Sequence, residues 1–508
     1  MTASSLETVT AALTTDEETL DPRGPADWDE LAALGHRMVD DMLAYLRGVR
    51  ERRPWQPVPE ATRSRFSRPL PRQPTEAASL YEEFREHVLP YPSGNIHPRF
   101  WGFVMGTGTP LSALTEMLAA TMNSNVSGFD DSPTLVEGQV IAWLRESFGF
   151  PQSAGGLLVS GGSMANLVGL TVARNANAGF DVRERGLRAA PRPPVLYASR
   201  EAHNSVRKAV ETLGLGREAL RLVPVDAEYR VDIGALRASI SADRAAGFHP
   251  FCVVGNAGTV NTGATDDLAA LADLAQDEGL WLHVDGAFGA LAAWSPELRG
   301  QVAGLERADS LAFDLHKWGY VPYEAGCVLV RDGGLQRAAF EASAAYLAPA
   351  RGGLAPEGPR FADYGPQLSR GFRALKVWMA LQEHGFDKLG RLVRQNVAQA
   401  AYLADLVRAQ PELELGAPVP LNIVCFRYRG RPGDLADADL DELNKELLVR
   451  LHQDGLAVPT YTRLGGRYLL RAAITNHRSR REDFDFLVRE ALRLGRELSR
   501  TPRAESRP

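Results

Sequence analysis

Between residues 100 and 345 the chain alternates short segments rich in Val and Leu with longer segments of helical periodicity. The strand-like segments are GLLVS, PVLYAS, FCVVGNAG, LWLHVDG, SLAFD and GCVLV, and helical stretches such as SMANLVGLTVARNANA separate several of them. This alternation is typical of a mostly parallel sheet with helices on both faces. The pattern therefore predicts an α/β fold whose ligands bind at the carboxyl ends of the strands.

The segments around this core predict a second domain, a helical arm and two tails. Residues 1–25 and 496–508 are polar and lack periodicity, so we expect disordered tails there. Residues 26–100 have helical spacing and Pro-rich links but little core of their own, which predicts a dimer contact. The large domain is expected over residues 101–368, and a smaller α/β domain over residues 369–495.

Composition and charge exclude several kinds of partner. The formal charge is -6 at pH 7, with basic and acidic residues interspersed, so neither nucleic acid nor a membrane surface is expected as a partner. The three cysteines lie far apart in apolar surroundings and predict buried thiols; no metal site is expected. The N-terminus is acidic where a signal peptide would be basic, and no apolar run approaches the ~18 residues of a membrane span. We therefore expect a cytoplasmic protein.

A glycine-rich turn follows the first strand-like segment, within GLLVSGGSMANLVGL. Gly161 and Gly162 let the backbone approach a ligand closely, and the N–H groups of a helix N-terminus, with the Ser163 hydroxyl, bind anions. The turn predicts a phosphate site, and an ordinary turn with a capping serine is the alternative. Neither a Walker lysine nor GxGxxG is present, which argues against a nucleotide.

Two charged residues follow strand-like segments. Asp285 ends LWLHVDG, and Lys317 lies between SLAFD and GCVLV. A buried lysine is costly unless it is paired or neutralised. A lysine, an acid at a strand end and a phosphate turn together describe a pyridoxal phosphate site, where the lysine forms a Schiff base and the carboxylate keeps the pyridine nitrogen protonated. Taken singly, the residues have alternatives: a solvated lysine and a helix-capping aspartate.

A different chemistry would use the same turn. The letters GGSMA are one residue away from the GxSxG nucleophile elbow of the α/β-hydrolases, with Ser163 as nucleophile. Asp285 and His316 follow in the order of such a triad. This alternative leaves Lys317 without a role. A binding protein without catalysis also stays open.

Six motifs resemble, in order, those of the group II pyridoxal phosphate decarboxylases, which include aromatic amino acid, glutamate and diaminobutyrate decarboxylases. They are SGGSMAN, EAHNSVRKAV, HVDGA, DLHKW, LSRGFRALKVW and LLRAAITNHR, and the resemblance covers roughly residues 30–490. It implies the type I fold of pyridoxal phosphate-dependent transferases, similar to aspartate aminotransferase, with pyridoxal 5′-phosphate as cofactor. It also implies a homodimer with shared active sites that converts an L-amino acid to its amine and CO2.

The resemblance implies roles for individual residues. Lys317 would form the Schiff base, Asp285 would hold the ring nitrogen, and His203 would stack on the ring. The other implied cofactor contacts are Gly162, Ser163 and His316 at the phosphate, Ala287 beside the ring, and Thr259.

Residues 336–368, rich in Ala, Gly and Pro, predict a lid loop that contains Tyr346. Non-oxidative relatives are similar in carrying a tyrosine on this loop, so the resemblance implies that Tyr346 returns a proton to the substrate carbon. Relatives that make aldehydes tend to have phenylalanine there. Oxidative decarboxylation on the same scaffold is therefore the alternative.

Two segments, HPRFWGFVMGTGTP and NSNVSGFDDSP, resemble family segments near the substrate, partly contributed by the partner subunit. The pocket residues this implies are Trp101, Phe103, Thr107, Asn125 and Ser127. Asn125 and Ser127 stand where aromatic decarboxylases carry apolar and aromatic side chains. Because an unpaired buried polar group costs about 1–3 kcal/mol, these residues favour a smaller or more polar amino acid.

Overall fold

The structure is a computed structural model that describes residues 19–342, 353–354, 360–430 and 436–500. The predicted proton donor Tyr346 lies outside the described residues. The chain divides into two compact units, one of Met1–Arg52 with Pro57–Pro92 and one of Arg53–Gln56 with Ser93–Pro508. None of the helices in the described ranges has the length and apolarity needed to cross a membrane.

The first unit is helical. Its α-helices are α1 (Pro25–Arg47), α2 (Glu60–Arg65) and α3 (Ala77–His87). Pro25 opens α1, where its missing N–H is no loss. Tyr81 of α3 is buried and donates a hydrogen bond to Asp41 of α1 at 2.9 Å. No residue of α1 is buried, so the unit has little core.

The second unit contains a seven-stranded sheet in the order β1-β7-β6-β5-β4-β2-β3. Its strands are β1 (Gly155–Val159), β2 (Pro194–Ser199), β3 (Leu220–Val223), β4 (His249–Asn256), β5 (Trp281–Asp285), β6 (Ser310–Asp314) and β7 (Gly326–Val330). Strands β2 to β6 pair in parallel, whereas β7 is antiparallel to both β1 and β6. The sheet is therefore mostly parallel, as the sequence predicts.

Helices flank this sheet. They are α4 (Pro110–Met122), α5 (Ser132–Ser147), α6 (Gly162–Asn177), α7 (Val182–Arg185), α8 (Asn204–Thr212), α9 (Ile233–Ala245), α10 (Leu268–Glu278) and α11 (Gly333–Phe340). Every residue of β1, β5, β6 and β7 is buried. Because successive side chains of a strand point to opposite faces, both faces of the sheet are covered.

A second, antiparallel sheet has the order β10-β11-β9-β8. It is formed by β8 (Leu413–Leu415), β9 (Ile423–Tyr428), β10 (Thr460–Leu464) and β11 (Arg467–Ala473), and its helices are α12 (Arg373–Arg408), α13 (Asp437–Gln453) and α14 (Arg481–Arg500). Gly385 interrupts α12 with a φ of 69°, a conformation that favours glycine. Both sheets lie in the second unit, and the boundary between a large and a small domain at residue 368 stays a prediction.

Two predicted boundaries are wrong: the start of the disordered C-terminal tail and the start of the lid loop. Helix α14 continues to Arg500, so residues 496–500 are helical rather than disordered. Helix α11 runs to Phe340, so residues 336–340 do not belong to a loop. Asp332 caps the N-terminus of α11 by accepting hydrogen bonds from the first-turn amides. The helix that begins there continues into the segment that the sequence assigned to the lid.

A fully buried ion pair joins the LSRGFRALKVW segment to α5. Arg370 and Glu137 both have 0% exposed side chains, and Arg370 also donates to the carbonyls of Val126 and Leu158 at 2.7 Å. We expect Arg370→Met to lower the free energy of unfolding by about 3–5 kcal/mol, because Glu137 would be left buried without its charge partner. Urea denaturation measures this. Arg370→Met with Glu137→Leu should recover part of the loss, and a single-variant loss under about 1 kcal/mol would contradict the assignment.

Candidate active site

A cavity of ≈ 600 Å³ opens beyond the carboxyl ends of β4, β5 and β6. Asp285 ends β5, Lys317 follows β6, and both side chains line the cavity together with His203 and Ala287. The structure thus brings together four residues that the sequence places in one site, although they are spread over more than a hundred positions of the chain.

The Asp285 carboxylate is held by hydrogen bonds on both oxygens. Oδ2 accepts from the Asn166 side chain at 2.9 Å, and Oδ1 accepts from the Ala287 backbone amide at 3.1 Å. Asp285 is 5% exposed. Donors on both oxygens hold the carboxylate in one orientation at the cavity wall.

Lys317 is partly buried beside a carboxylate. Its Nζ lies 2.7 Å from Oδ2 of Asp314, the last residue of β6, whose side chain is 2% exposed. The Asp314 Oδ1 atom has no hydrogen-bond partner and lies 3.8 Å from His316 Nε2. The ion pair neutralises the charge of both groups, which explains how a lysine is accommodated between two buried strands.

His203 caps the N-terminus of α8. Its Nδ1 accepts a hydrogen bond from the Ser205 backbone amide at 3.2 Å. Burial lowers the pKa of His203, while the negative charge of Asp285 raises it and the positive charge of Lys317 lowers it. Because burial is the largest of these effects, the imidazole is neutral near pH 7.

The glycine-rich turn meets the Lys317 loop at close range. A Cβ atom at Gly161 would lie 3.1 Å from His316 Cε1, and one at Gly162 would lie 2.8 Å from Asp314 Oδ2. Ser163 is exposed in the first turn of α6. His316 Nδ1 accepts from the Ala325 amide at 3.0 Å, and burial lowers the pKa of His316, so its proton is on Nε2.

The residues around the cavity fit pyridoxal 5′-phosphate. The N-terminus of α6 and the His316 Nε2–H are donors suited to a phosphate, with glycines that leave room for it. Lys317 supplies an amine beside the cavity, Asp285 supplies an acceptor for a protonated ring nitrogen, and Ala287 offers a small apolar surface.

The alternative hydrolase triad is not formed. Within the described residues no hydrogen bond links Ser163 to His316, whose Nδ1 is bound to the Ala325 amide instead. The partners of the Asp285 carboxylate are Asn166 and Ala287. The nucleophile, base and orienting acid of such a triad are therefore not connected.

The predicted cofactor contact of Thr259 stays a prediction, and the Thr259 hydroxyl has partners within its own turn. Its hydroxyl lies 3.0 Å from Thr262 Oγ1 and accepts from the Ala264 amide at 3.1 Å. These bonds close a turn, and the cavity wall here is formed by Gly258 and Val260 instead.

The predicted pocket residues divide into those near the cavity and those in the core. Phe103 lines the cavity, where it is 65% exposed. Trp101 does not: its ring stacks on Phe484 with centroids 5.1 Å apart, and its Nε1 donates to Ser479 at 3.1 Å. Trp101 is therefore a core residue of the second sheet.

The remaining pocket candidates also lie outside this cavity wall. Thr107 is buried, and its hydroxyl faces the Gly108 carbonyl at 3.4 Å. The Asn125 side chain accepts from the Arg370 amide at 2.9 Å, and Ser127 is buried. Asn125 and Ser127 thus have structural partners within this chain, and their place in a partner's site stays a prediction.

Sequence reasoning missed Arg471, which lies on β11 in the LLRAAITNHR motif. It is 3% exposed and lines the cavity, and within the described ranges no carboxylate pairs with it. Its guanidinium donates to the carbonyls of Val260 and Phe103, both at 2.8 Å, and burial lowers its pKa to about 10. Arg471 therefore joins two loops of the cavity wall. The LLRAAITNHR motif contains Arg471, but the sequence does not indicate its hydrogen bonds to the Val260 and Phe103 carbonyls.

Comparisons with known proteins agree with this geometry. The profile of the pyridoxal-dependent decarboxylase conserved domain matches residues 59–429. An aromatic-L-amino-acid decarboxylase of Bacillus atrophaeus is 32% identical over 93% of this chain and 96% of the relative. Tryptophan decarboxylase 1 of Oryza sativa subsp. japonica is 30% identical over 89% of this chain and 90% of the relative.

Solved structures give the same result. The crystal structure of Oryza sativa TDC with PLP and tryptamine has a TM-score of 0.84 and 28% identity, and covers 95% of this chain and 99% of that one. Tryptophan decarboxylase of Catharanthus roseus in complex with L-tryptophan has a TM-score of 0.83 and 26% identity, and covers 94% of this chain and 100% of that one. The type I fold, the cofactor and the decarboxylation implied by the motifs are confirmed. The chain belongs to the pyridoxal-dependent decarboxylase family and is a carboxy-lyase that removes CO2 from an amino acid with pyridoxal 5′-phosphate as its cofactor.

Proposed function

We propose that this enzyme converts an aromatic L-amino acid to its amine without oxidation, with Lys317, Asp285 and His203 as its catalytic residues. The observation that carries the proposal is the convergence of these three side chains on one cavity at the carboxyl ends of the strands. Pyridoxal phosphate, when bound, supplies the electron sink that accepts the electron pair left by CO2.

The residues of the chain prepare the site for that chemistry. Lys317 would tether the cofactor, and the 2.7 Å contact with Asp314 keeps its amine in place when it is free. Asp285 would hold the ring nitrogen in its protonated form, and its fixed carboxylate needs no reorganisation to do so. His203 would cover one face of the ring and Ala287 the other, while Gly162, Ser163 and His316 would hold the phosphate.

The aromatic preference rests on the cavity wall and on the relatives. Phe103, Val104, Phe288 and Tyr461 give the wall a largely apolar surface. The relatives of Bacillus atrophaeus and Oryza sativa are named as aromatic amino acid and tryptophan decarboxylases. The expected preference for a smaller or more polar substrate depended on Asn125 and Ser127. That preference rests on their predicted place in a partner's site and stays the alternative, whereas the wall that this chain itself supplies favours the aromatic class.

The enzyme is further proposed to act as a homodimer in the cytoplasm. Four large apolar side chains of α4 and α5 are exposed: Met117, Leu118, Met122 and Leu135. A cluster of exposed apolar residues on neighbouring helices is typical of a protein–protein interface. The resemblance to dimeric relatives with shared sites makes a second copy of this chain the expected partner.

A panel of amino acids tests the substrate class and the reaction together. We expect CO2 and the matching amine from tryptophan, tyrosine or phenylalanine, with kcat/KM about 100-fold or more above that for glutamate or diaminobutyrate, because burial of an aromatic ring against Phe103 and Tyr461 is worth about 3 kcal/mol. Product mass and CO2 release are measured. A preference for an acidic or basic amino acid would contradict the aromatic assignment.

The same assay separates the oxidative alternative. Tyr346 is proposed to return a proton to the substrate carbon, which commits the reaction to the amine. An aldehyde with peroxide and ammonia as the main products would contradict this role and would favour oxidative decarboxylation.

A further inference from the structure

A hydrogen-bonded chain of side chains runs behind the cavity, from the core of the sheet to two proposed catalytic residues, and every member except His203 is buried. We call it the buried chain, and its members are Trp281, Ser310, His283, Asn166, Asp285, Ser205 and His203. Each link is between 2.8 and 2.9 Å long. The carboxylate end, which can only accept, determines which Asn166 atom donates and which accepts, and the other links follow from that orientation.

The first end is Trp281, whose indole N–H can only donate. It donates to Ser310 Oγ at 2.8 Å, which leaves the Ser310 hydroxyl able to donate its own hydrogen to His283 Nδ1, also at 2.8 Å. His283 is fully buried, and burial lowers its pKa to about 4, so it carries one proton. With Nδ1 accepting, that proton is on Nε2 and is donated to Asn166 Oδ1 at 2.9 Å.

The second end is Asp285, whose carboxylate can only accept. The 2.9 Å contact with Asp285 Oδ2 must therefore come from the Asn166 NH2 group, which turns the amide oxygen toward His283. The hydrogen bonds at the Trp281 end are compatible with this orientation. The Asp285 carboxylate thus fixes the orientation of the Asn166 amide.

Asn166 has a second amide hydrogen, and it leads to His203. Asn166 Nδ2 donates to Ser205 Oγ at 2.9 Å, so the Ser205 hydroxyl is free to donate to His203 Nδ1 at 2.8 Å. The Ser205 backbone amide donates to the same nitrogen at 3.2 Å. With Nδ1 as an acceptor, the single proton of neutral His203 is on Nε2.

We propose that Asn166 is a positioning residue whose two amide hydrogens hold the Asp285 carboxylate in place and, through Ser205, fix the proton of His203 on Nε2. His283 donates to the Asn166 amide oxygen and so keeps the amide from rotating by half a turn. Such a rotation would point the amide oxygen, instead of the NH2 group, at Asp285 and Ser205. His203 lines the cavity, so the site receives a hydrogen-bond donor there rather than an acceptor. The importance of this for turnover rests on the proposed roles of Asp285 and His203.

The direct test reads the position of the proton on His203 in the resting holoenzyme. Protein labelled with [15N]histidine and loaded with pyridoxal phosphate is measured by solid-state NMR, where protonated and bare imidazole nitrogens are well separated. The His203 signals are those lost in His203→Gln. We expect a single form with the proton on Nε2. A proton on Nδ1 in the unmodified protein would overturn the proposal, whatever the variants show.

Variants test whether Asn166 and His283 impose that form. Asn166→Leu and His283→Leu are expected to give a mixture of the two His203 forms, because the Ser205 hydroxyl then loses its fixed orientation and only the 3.2 Å contact from the Ser205 amide favours Nδ1 as an acceptor. His283→Gln should keep the single form, because the glutamine amide can still donate to Asn166 Oδ1. Asn444→Leu removes an equally buried asparagine, on helix α13 beside the second sheet, and should leave His203 unchanged. An unchanged His203 signal in folded, cofactor-loaded Asn166→Leu would overturn the role of Asn166.

Kinetics provide a second readout. Loss of a hydrogen bond to a charged group predicts a fall in kcat of about 10- to 100-fold for Asn166→Leu, with KM altered by less than about 3-fold. His283→Gln should stay within about 3-fold of the unmodified enzyme. Equal kcat for Asn166→Leu and the unmodified enzyme would contradict the proposal. The NMR result does not depend on turnover, so failure of the proposed reaction would be recognised separately.

Discussion

Lys317→Ala is expected to abolish decarboxylation, with a loss of at least about 10³-fold in kcat. The substitution removes the amine that would tether the cofactor and leaves Asp314 buried without its 2.7 Å partner. The measurements are CO2 release and the visible absorption of the protein soaked with pyridoxal phosphate. We expect neither turnover nor the absorption of the covalently bound cofactor.

A matched control uses another buried lysine. Lys376 of α12 is 4% exposed and pairs at 2.6 Å with Glu116 of α4, whose side chain is 47% exposed. Lys376→Met removes another lysine–carboxylate pair but should leave the covalent loading of Lys317 intact. If Lys317→Ala retained more than a few per cent of the unmodified rate, the lysine would not be the tether.

Asp285→Asn has the second largest expected effect, a fall in kcat of about 10³-fold. A carboxylate about 4 Å from a protonated ring nitrogen, at an effective dielectric constant near 20, contributes about 4 kcal/mol, and this is the stabilisation that the neutral amide loses. The amide has the size of the carboxylate, so the effect reports on charge. Cofactor occupancy is measured beside kcat to separate binding from turnover.

The control for this variant is a carboxylate at the opposite end of the same sheet. Asp309 precedes β6 and accepts from the Leu282 amide at 2.8 Å, and burial raises its pKa. Asp309→Asn should change kcat by no more than about 2-fold, because its charge is far from the cavity. A similar fall in both variants would point to lost stability, and an Asp285→Asn enzyme with near-normal kcat would contradict the role of the carboxylate.

The sheet could be predicted because its strands are short, apolar and separated by helices. All six strand-like segments between residues 100 and 345 are strands. Strand β3 was missed because it has only four residues, and three of these are at least partly exposed, so it lacks the apolar run that marks the other strands. The antiparallel direction of β7 could not be predicted either. It depends on a turn between β6 and β7, and the local pattern of GCVLV does not specify strand direction.

The residues proposed as catalytic could be assigned to one cavity from the sequence because each lies in a motif at the end of a strand or at a helix N-terminus. For Trp101 and Thr259 the motifs did not indicate the contacts within the chain. Trp101 is committed to the core by Ser479, which lies 378 positions away, and the Thr259 hydroxyl is used by its own turn. The motifs also contained Asn166 and His283 without indicating their link, because the hydrogen bond between them joins residues 117 positions apart.

The account depends above all on a covalent link between Lys317 and the cofactor. The most direct measurement is borohydride reduction of the loaded enzyme, followed by proteolysis and mass spectrometry of the peptides. The chain has five lysines, at positions 208, 317, 376, 388 and 445. We expect the reduced pyridoxyl phosphate adduct on Lys317 and on no other lysine. An adduct confined to a different lysine, or the absence of any adduct from protein saturated with cofactor, would contradict the account.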